Sequence, residues 1–198
     1  MLRAVLFDLM DTVLYDPYRE SIEAATGVDV RTALAHNDKT CWPEFETATI
    51  DEAEFARRYF AEAPHLRFDL DAFHAARRGG YRFLPGMRAL LESLAGRVER
   101  HVASNYPIWI DEVATTFDFA ALFEGVWASC HFRVRKPTAQ FYDRLLEKVC
   151  HPAGDCLFVD DRAPNCEAAE RAGMRAHVFD GADGLIARLR AEGVNFPS

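Results

Sequence analysis

What this chain has little of narrows its reading first. No segment is low in complexity or composed like a disordered tract, so a packed core is expected. Basic residues are outnumbered: 23 Lys and Arg stand against 31 Asp and Glu, for a formal charge of −8. A nucleic-acid binder needs a cationic surplus to replace the counterions of the phosphates, so no nucleic-acid partner is expected. A small anionic substrate stays compatible, because a pocket can be locally basic inside an acidic protein. Long hydrophobic runs are lacking too. The apolar stretch before Asp8 is far too short for a membrane span or the core of a signal peptide, and it ends in an acid. No membrane partner is expected either.

Cysteine is sparse. Cys41, Cys130, Cys150, Cys156 and Cys166 are odd in number and include no closely spaced pair. They read as reduced thiols of a cytoplasmic protein, against both a disulfide scaffold and metal–thiolate chemistry. His36, His65, His74 and His101 lack metal-ligand spacing. His101 falls in a strand and reads as structural. Cys166 has no neighbour resembling the base of a nucleophilic thiol.

What is present fits a folded enzyme-sized unit. The 198 residues suffice for one α/β domain and a small accessory domain. Residues 2–7 form a continuous apolar run, suited to a buried parallel strand. Residues 16–80 contain no strand-like run but four helix-like stretches, at 17–26, 30–37, 52–63 and 70–78. Asp51 with Glu54 three residues later is a capping-box pattern. From residue 97 onward strand and helix alternate: strands at 99–103, 125–129, 156–159 and 175–179, helices at 108–117, 138–149, 167–172 and 185–191, with a further helix at 87–94. That alternation predicts a doubly wound parallel sheet covered by helices, with the first strand in the same sheet and a helical block inserted after it. The expected boundaries are a core of 1–13 and 84–198 and an insertion of 14–83.

Ligands of such sheets bind beyond the carboxyl ends of the strands. Three polar clusters fall at those ends: Asp8 to Thr12, Ser104-Asn105 and Asp160-Asp161. A strand-end carboxylate such as Asp8 can attack phosphorus and form an aspartyl-phosphate. Two anions then meet, which calls for a hard divalent cation such as Mg²⁺. Asp8, Asp160, Asp161 and the backbone carbonyl of Met10 are its candidate ligands. Thr12 and Ser104 are candidate donors to phosphate oxygens, and Lys136 can neutralise the nucleophile and the transferring group.

The pattern resembles the haloacid-dehalogenase-like superfamily along the whole chain. Asp8-Leu9-Met10-Asp11-Thr12 resembles its first motif and Ser104 with Asn105 its second. Lys136-Pro137 resembles its third, and Asp160-Asp161 with Asn165 nearby its fourth. The resemblance implies a Rossmannoid core and a helical cap at 14–83 that closes over the pocket and selects substrate. Tyr15, Tyr18, His36, Trp42, Arg57 and Tyr106 are the candidate cap and rim contacts, and Asn105 joins them as a substrate-binding residue. Met10 departs from the pattern, because the family's acid/base Asp belongs at that position. Three explanations compete: Asp11 substitutes despite being one residue out of register, the enzyme is slow or prefers good leaving groups, or catalysis is lost. Tyr106, Trp109 and the Met10 motif are similar to a subgroup that includes flavin mononucleotide hydrolases, where the two rings would line an isoalloxazine-sized pocket.

The reading is thus an Mg²⁺-dependent hydrolase of a small phosphorylated metabolite, flavin mononucleotide among the candidates, working as a monomer or homodimer. A 2-haloacid dehalogenase also lacks Asp two places after its nucleophile, but it needs no metal, and the acidic pair favours phosphoryl transfer. The other alternative is a non-catalytic phosphate-ligand module on a retained fold. Plainer roles compete at each position. Asp160-Asp161 and Ser104-Asn105 can cap helices, Lys136 can be a surface lysine, and Trp42, Phe45 and Phe55 can be core of the insertion.

Overall fold

The computed structural model describes residues 1–196. Its centre is one five-stranded sheet, wholly parallel, in the order β3-β2-β1-β4-β5. The strands are β1 (Ala4–Phe7), β2 (Glu99–Ser104), β3 (Gly125–Ala128), β4 (Cys156–Asp160) and β5 (Arg175–Val178). All five coincide with expected strands. β1 holds the middle because it is apolar at every position and buried at every position; a strand covered on both faces has no polar side.

Alternation along the strands divides the core in two. Val5, Phe7, Val102, Leu157 and Val159 point into one layer, while Ala4, Leu6, Ala103, Cys156 and Phe158 point into the other. The first layer takes Met87, Leu90, Leu91 and Leu94 of one helix (Met87–Leu94) and Leu185 and Leu189 of another (Ala182–Ala191). The second takes the apolar stripe Phe141, Tyr142, Leu145 and Val149 of the helix Ala139–Val149.

Register brings the strand ends together. Phe7 pairs with Val102 on one side and with Val159 on the other. One residue further along, Asp8 stands level with Ala103 and Asp160, and its N–H donates to the Val159 carbonyl at 2.7 Å. The chain order reverses at β1 and β4, so these ends face the topological switch point where α/β sheets open a crevice.

Five helices fill the insertion between β1 and the helix Met87–Leu94: α1 (Tyr18–Thr26), α2 (Val30–His36), α3 (Cys41–Glu46), α4 (Glu52–Arg58) and α5 (Leu70–Gly80). Asp51 caps α4 as its spacing predicts, accepting from Glu54 N–H at 2.8 Å. The helix stops five residues before the expected end. Residues 59–63 turn tightly instead, with Ala63 N–H on the Phe60 carbonyl, because Pro64 disfavours helical geometry in the residue before it. Helix α3 is not among the expected stretches. Its Pro43 sits in the first turn, where a missing N–H costs no hydrogen bond. The helix expected at 167–172 starts earlier, at Ala163, with Pro164 in its first turn.

The insertion leaves and returns through neighbouring backbone. Tyr15 N–H donates to the Arg82 carbonyl and Leu84 N–H to the Val13 carbonyl, both at 2.9 Å. Its interior is aromatic, built on Phe45, Phe55, Tyr59, Phe68 and Phe73. Trp109, which follows β2, drives into that cluster with ring centroids 4.9 Å from Phe45 and 5.2 Å from Phe73. The Arg77 guanidinium lies 4.6 Å over the same indole. Leu6→Ala, which empties a fully buried site in the central strand, is expected to cost about 2–5 kcal/mol. The half-exposed Leu34→Ala should stay within about 0.5 kcal/mol. Urea unfolding of the two variants checks the contrast.

Candidate active site

Lys136 is the pivot of the crevice. Its ammonium is buried and donates to Asp8 Oδ1 at 2.7 Å, Asp160 Oδ2 at 2.6 Å and the Ala103 carbonyl at 2.8 Å. Three donors meet three acceptors from the ends of β1, β2 and β4, so the cation is fully satisfied. Burial opposes its charge, but Asp8 and Asp160 outweigh that and raise its pKa above the usual lysine value. Burial raises the Asp8 pKa as well; Lys136 counters and Asp160 reinforces the rise.

Asn105 holds this lysine in place. Its amide donates to the Lys136 carbonyl at 3.0 Å and accepts the Lys136 N–H at 2.8 Å. Asp160 is held from its far side: Oδ1 accepts Arg162 N–H at 2.9 Å, and Asn165 Nδ2 reaches both oxygens at 2.9 and 3.0 Å. Asp160 thus holds the turn before the helix Ala163–Arg171 and is not its cap, since that helix has no side-chain cap hydrogen bond.

Asp8, Asp160 and Asp161 each present a carboxylate oxygen, all within 4.8 Å of one another. Hard oxygen donors at that spacing fit Mg²⁺. Both Asp160 oxygens are already engaged, whereas the exposed Asp161 makes no side-chain hydrogen bond among the described residues. Burial, followed by Asp160 and Asp11, raises the Asp161 pKa, as expected of an acid crowded by acids. The Met10 carbonyl accepts no backbone hydrogen bond among the described residues.

A cavity of about 430 Å³ opens above these groups. Of the residues expected at the site, Asp8, Met10, Tyr18, Trp42, Ser104, Asn105, Tyr106, Lys136 and Asp161 line it. Thr12 does not: it is fully buried below, and its hydroxyl has no partner among the described residues. Tyr15 turns away to pair with Glu20 beneath the Arg82 guanidinium. Arg57 pairs with Glu54 and His36 packs on His65, neither of them on the cavity. Trp109 is spent on the aromatic cluster between insertion and core, so it does not form the expected ring wall.

Three further residues that the strand-end pattern did not single out line the cavity: Asp16, Glu46 and Arg162. Glu46 is buried on α3, accepts Trp42 Nε1–H at 2.7 Å and lies 3.0 Å from the Arg135 guanidinium. Burial still pushes its pKa up to about 7. Its carbonyl accepts the Ser129 hydroxyl at 2.6 Å, a second tie between insertion and core. An acid on a helix expected to be loop gives little sequence signal.

This arrangement, a parallel sheet with a lysine-braced acid at the end of its central strand and a helical insertion after it, marks the protein as a hydrolase of one particular kind. The chain belongs to the haloacid dehalogenase-like hydrolase family, which it matches over residues 2–173. It is similar to flavin mononucleotide hydrolase 1 of Arabidopsis thaliana, at 35% identity over 96% of this chain and 78% of that protein. A HAD-like family hydrolase from Porphyromonas gingivalis superposes with a TM-score of 0.77 at 20% identity, covering 97% of this chain and 98% of that one. A HAD family enzyme from Bacteroides thetaiotaomicron, solved with magnesium and inorganic phosphate, gives 0.75 at 17% identity over 93% and 99%. At such identities the two structures speak for the fold.

Lys136→Met would leave Asp8 and Asp160 buried face to face without a cation. The expected cost is about 3–5 kcal/mol at neutral pH. Urea unfolding should show the loss shrinking as pH falls and the carboxylates take up protons, and shrinking again in the Asp8→Asn/Lys136→Met double variant.

Proposed function

We propose that the protein is an Mg²⁺-dependent phosphatase of a small phosphorylated metabolite, working through an aspartyl-phosphate on Asp8. The observation that carries this reading is the meeting of Asp8, Asp160 and Asp161, with Lys136 bridging the first two. In the proposed reaction the Asp8 oxygen not held by Lys136 attacks phosphorus in line, and the bond to the leaving oxygen breaks. Lys136 offsets the charge on Asp8, and Asn105 acts by orienting Lys136. Ser104 donates to phosphate oxygens from the cavity wall. Thr12, beneath the wall, is assigned to shaping the loop that carries Asp8 and Met10, although the sequence makes it a phosphate donor. Asp8, Asp161 and the Met10 carbonyl hold the cation, with Asp160 as the acid that orders them; when bound, Mg²⁺ screens the negative charge of the phosphoryl group.

Residues 14–83 serve as the cap in this reading and Trp42, Tyr18 and Tyr106 as the surface that selects the leaving group. The likeness to a flavin mononucleotide hydrolase makes that nucleotide the first substrate to try. Aromatic walls suit an isoalloxazine, although Trp42 and Tyr106 provide them rather than Trp109. The five cysteines are free thiols, in keeping with a reducing compartment such as the cytoplasm. Among the described residues no helix is long and apolar enough to cross a membrane. The dehalogenase reading has no use for the free acid Asp161, and a mere binding module has none for a lysine-braced nucleophile.

A panel of phosphate esters that includes flavin mononucleotide tests the proposal with Mg²⁺ and with chelator. Turnover should need the metal and fall to background in Asp8→Asn; turnover that survives in Asp8→Asn rules out the mechanism. Halide release from a 2-haloacid without metal would instead favour the dehalogenase. Trp42→Ala should raise KM for flavin mononucleotide about 2- to 10-fold, the equivalent of 0.5–1.5 kcal/mol of ring contact, and leave KM for a small alkyl phosphate nearly unchanged. Steady-state kinetics on the two substrates reads the split.

A further inference from the structure

Position 10 leaves a chemical gap: a thioether can neither protonate a leaving alkoxide nor deprotonate water. Met10 nonetheless lines the cavity beside Asp8, so the gap lies where proton transfer is needed. Besides Asp8 and Asp161, the cavity wall carries three carboxylates: Asp11, Asp16 and Glu46.

The other two are placed differently from Asp16. Glu46 is ion-paired, with Trp42 Nε1–H on one oxygen and the Arg135 guanidinium 3.0 Å from the other. Asp11 is exposed in a left-handed conformation (φ 57°), and its Oδ1 accepts the Asp16 N–H at 3.2 Å. Asp11 therefore acts as a brace for Asp16. Asp16 itself is half-buried just before α1. Its Oδ1 accepts Tyr18 N–H at 3.0 Å, which fixes the carboxyl, while Oδ2 makes no hydrogen bond among the described residues. Asp16 also borders a small void with Tyr18, Arg77, Tyr81 and Tyr106, next to the main cavity that it lines.

We infer that Asp16 is the general acid/base of this site, doing from the first residues of the insertion the work that position 10 cannot. The inference rests on the phosphatase reading above and names the residue that reading leaves out. As Asp8 attacks, protonated Asp16 gives its proton to the departing oxygen, and the alcohol leaves. Asp16, now ionised, takes a proton from the incoming water as the water oxygen bonds to phosphorus. The bond from phosphorus to Asp8 breaks, inorganic phosphate departs, and Asp16 is protonated again. A carboxyl can serve both halves only if it is protonated part of the time near neutral pH. Burial does that here, followed by the nearby charges of Asp11, Asp8 and Glu20 and against the Tyr18 N–H, pushing the Asp16 pKa up to about 7. The other ionisable groups around it are phenols, the half-buried Tyr18 and Tyr81 and the buried Tyr106, whose pKa is raised, so they stay neutral. Arg77 faces Tyr81 and Glu112.

Asp16→Asn tests this, because asparagine keeps an oxygen for the Tyr18 N–H and an unchanged Tm verifies the fold. With Mg²⁺ and p-nitrophenyl phosphate, whose leaving group needs no acid, the variant should release a rapid burst of nitrophenolate of about one per site. Steady turnover should then be about 10²- to 10⁴-fold below wild type, because water attack has lost its base. With glycerol phosphate the burst itself should disappear. Wild-type-like turnover of both esters in Asp16→Asn would overturn the assignment. So would loss of the aryl burst along with the alkyl one, which marks a structural role. A wild-type protein inert toward both esters would instead bring down the phosphatase reading beneath it.

Discussion

One buried cation organises this protein. Two carboxylates at the ends of adjacent strands, deprived of water, repel each other, and only a positive charge between them makes the arrangement tolerable. Lys136 provides it, and every hydrogen-bonding position of its ammonium is used. The sheet register that sets Asp8 level with Asp160 is what lets one ammonium reach both. The same contact draws the loop carrying Lys136 down onto the sheet, where Asn105 clasps its backbone. The floor of the cavity, its charge balance and the docking of three strand ends are therefore one physical fact.

The insertion depends on that floor in turn. It is attached through an indole from the core and through Glu46, whose carbonyl and carboxylate both reach core residues. The first tie is apolar, with Trp109 wedged among Phe45 and Phe73, and the second is polar but buried, which raises the pKa of the Glu46 acid. The cavity wall is thus shared. Asp8 and Asp161 come from strand ends, while Asp16, Glu46, Tyr18 and Trp42 come from the insertion. A reacting group and the surface that recognises the rest of a substrate can then vary separately on one fold.

The substitution at position 10 makes sense in that setting. Asp8 needs its partners at the sheet, where strand geometry is rigid. A proton carrier needs only a carboxyl of suitable pKa within reach of the leaving oxygen, so it can come from another element. Asp16, at the mouth of the insertion, lines the same cavity as Asp8, and burial with acidic neighbours raises its pKa. The thioether of Met10 adds apolar wall to the same cavity, which raises the cost of charging the acids around it.

Much of this was legible in the sequence. Apolar runs ending in Asp8 and Asp160 announce strands whose ends carry chemistry, because a parallel strand buried on both faces reads as a near-continuous apolar run and the polar residue after it marks its exit. Strand and helix alternation predicts the sheet, and each of the five strands stands where expected. Helix ends were less legible where proline plays two parts: Pro43 and Pro164 sit harmlessly in first turns, while Pro64 ends a helix. Side-chain direction was not legible at all. Tyr15 and Trp109 look like pocket rings by type, yet one pairs with Glu20 and the other is consumed in packing. The sequence by itself determined which groups lie at the strand ends, since that follows from local pattern. Only the tertiary structure decided that Lys136 lies between two of those groups and that Asp16 shares their cavity. The first is a contact across 128 residues of chain, and the second depends on how the insertion packs over the strand ends, neither being set by spacing.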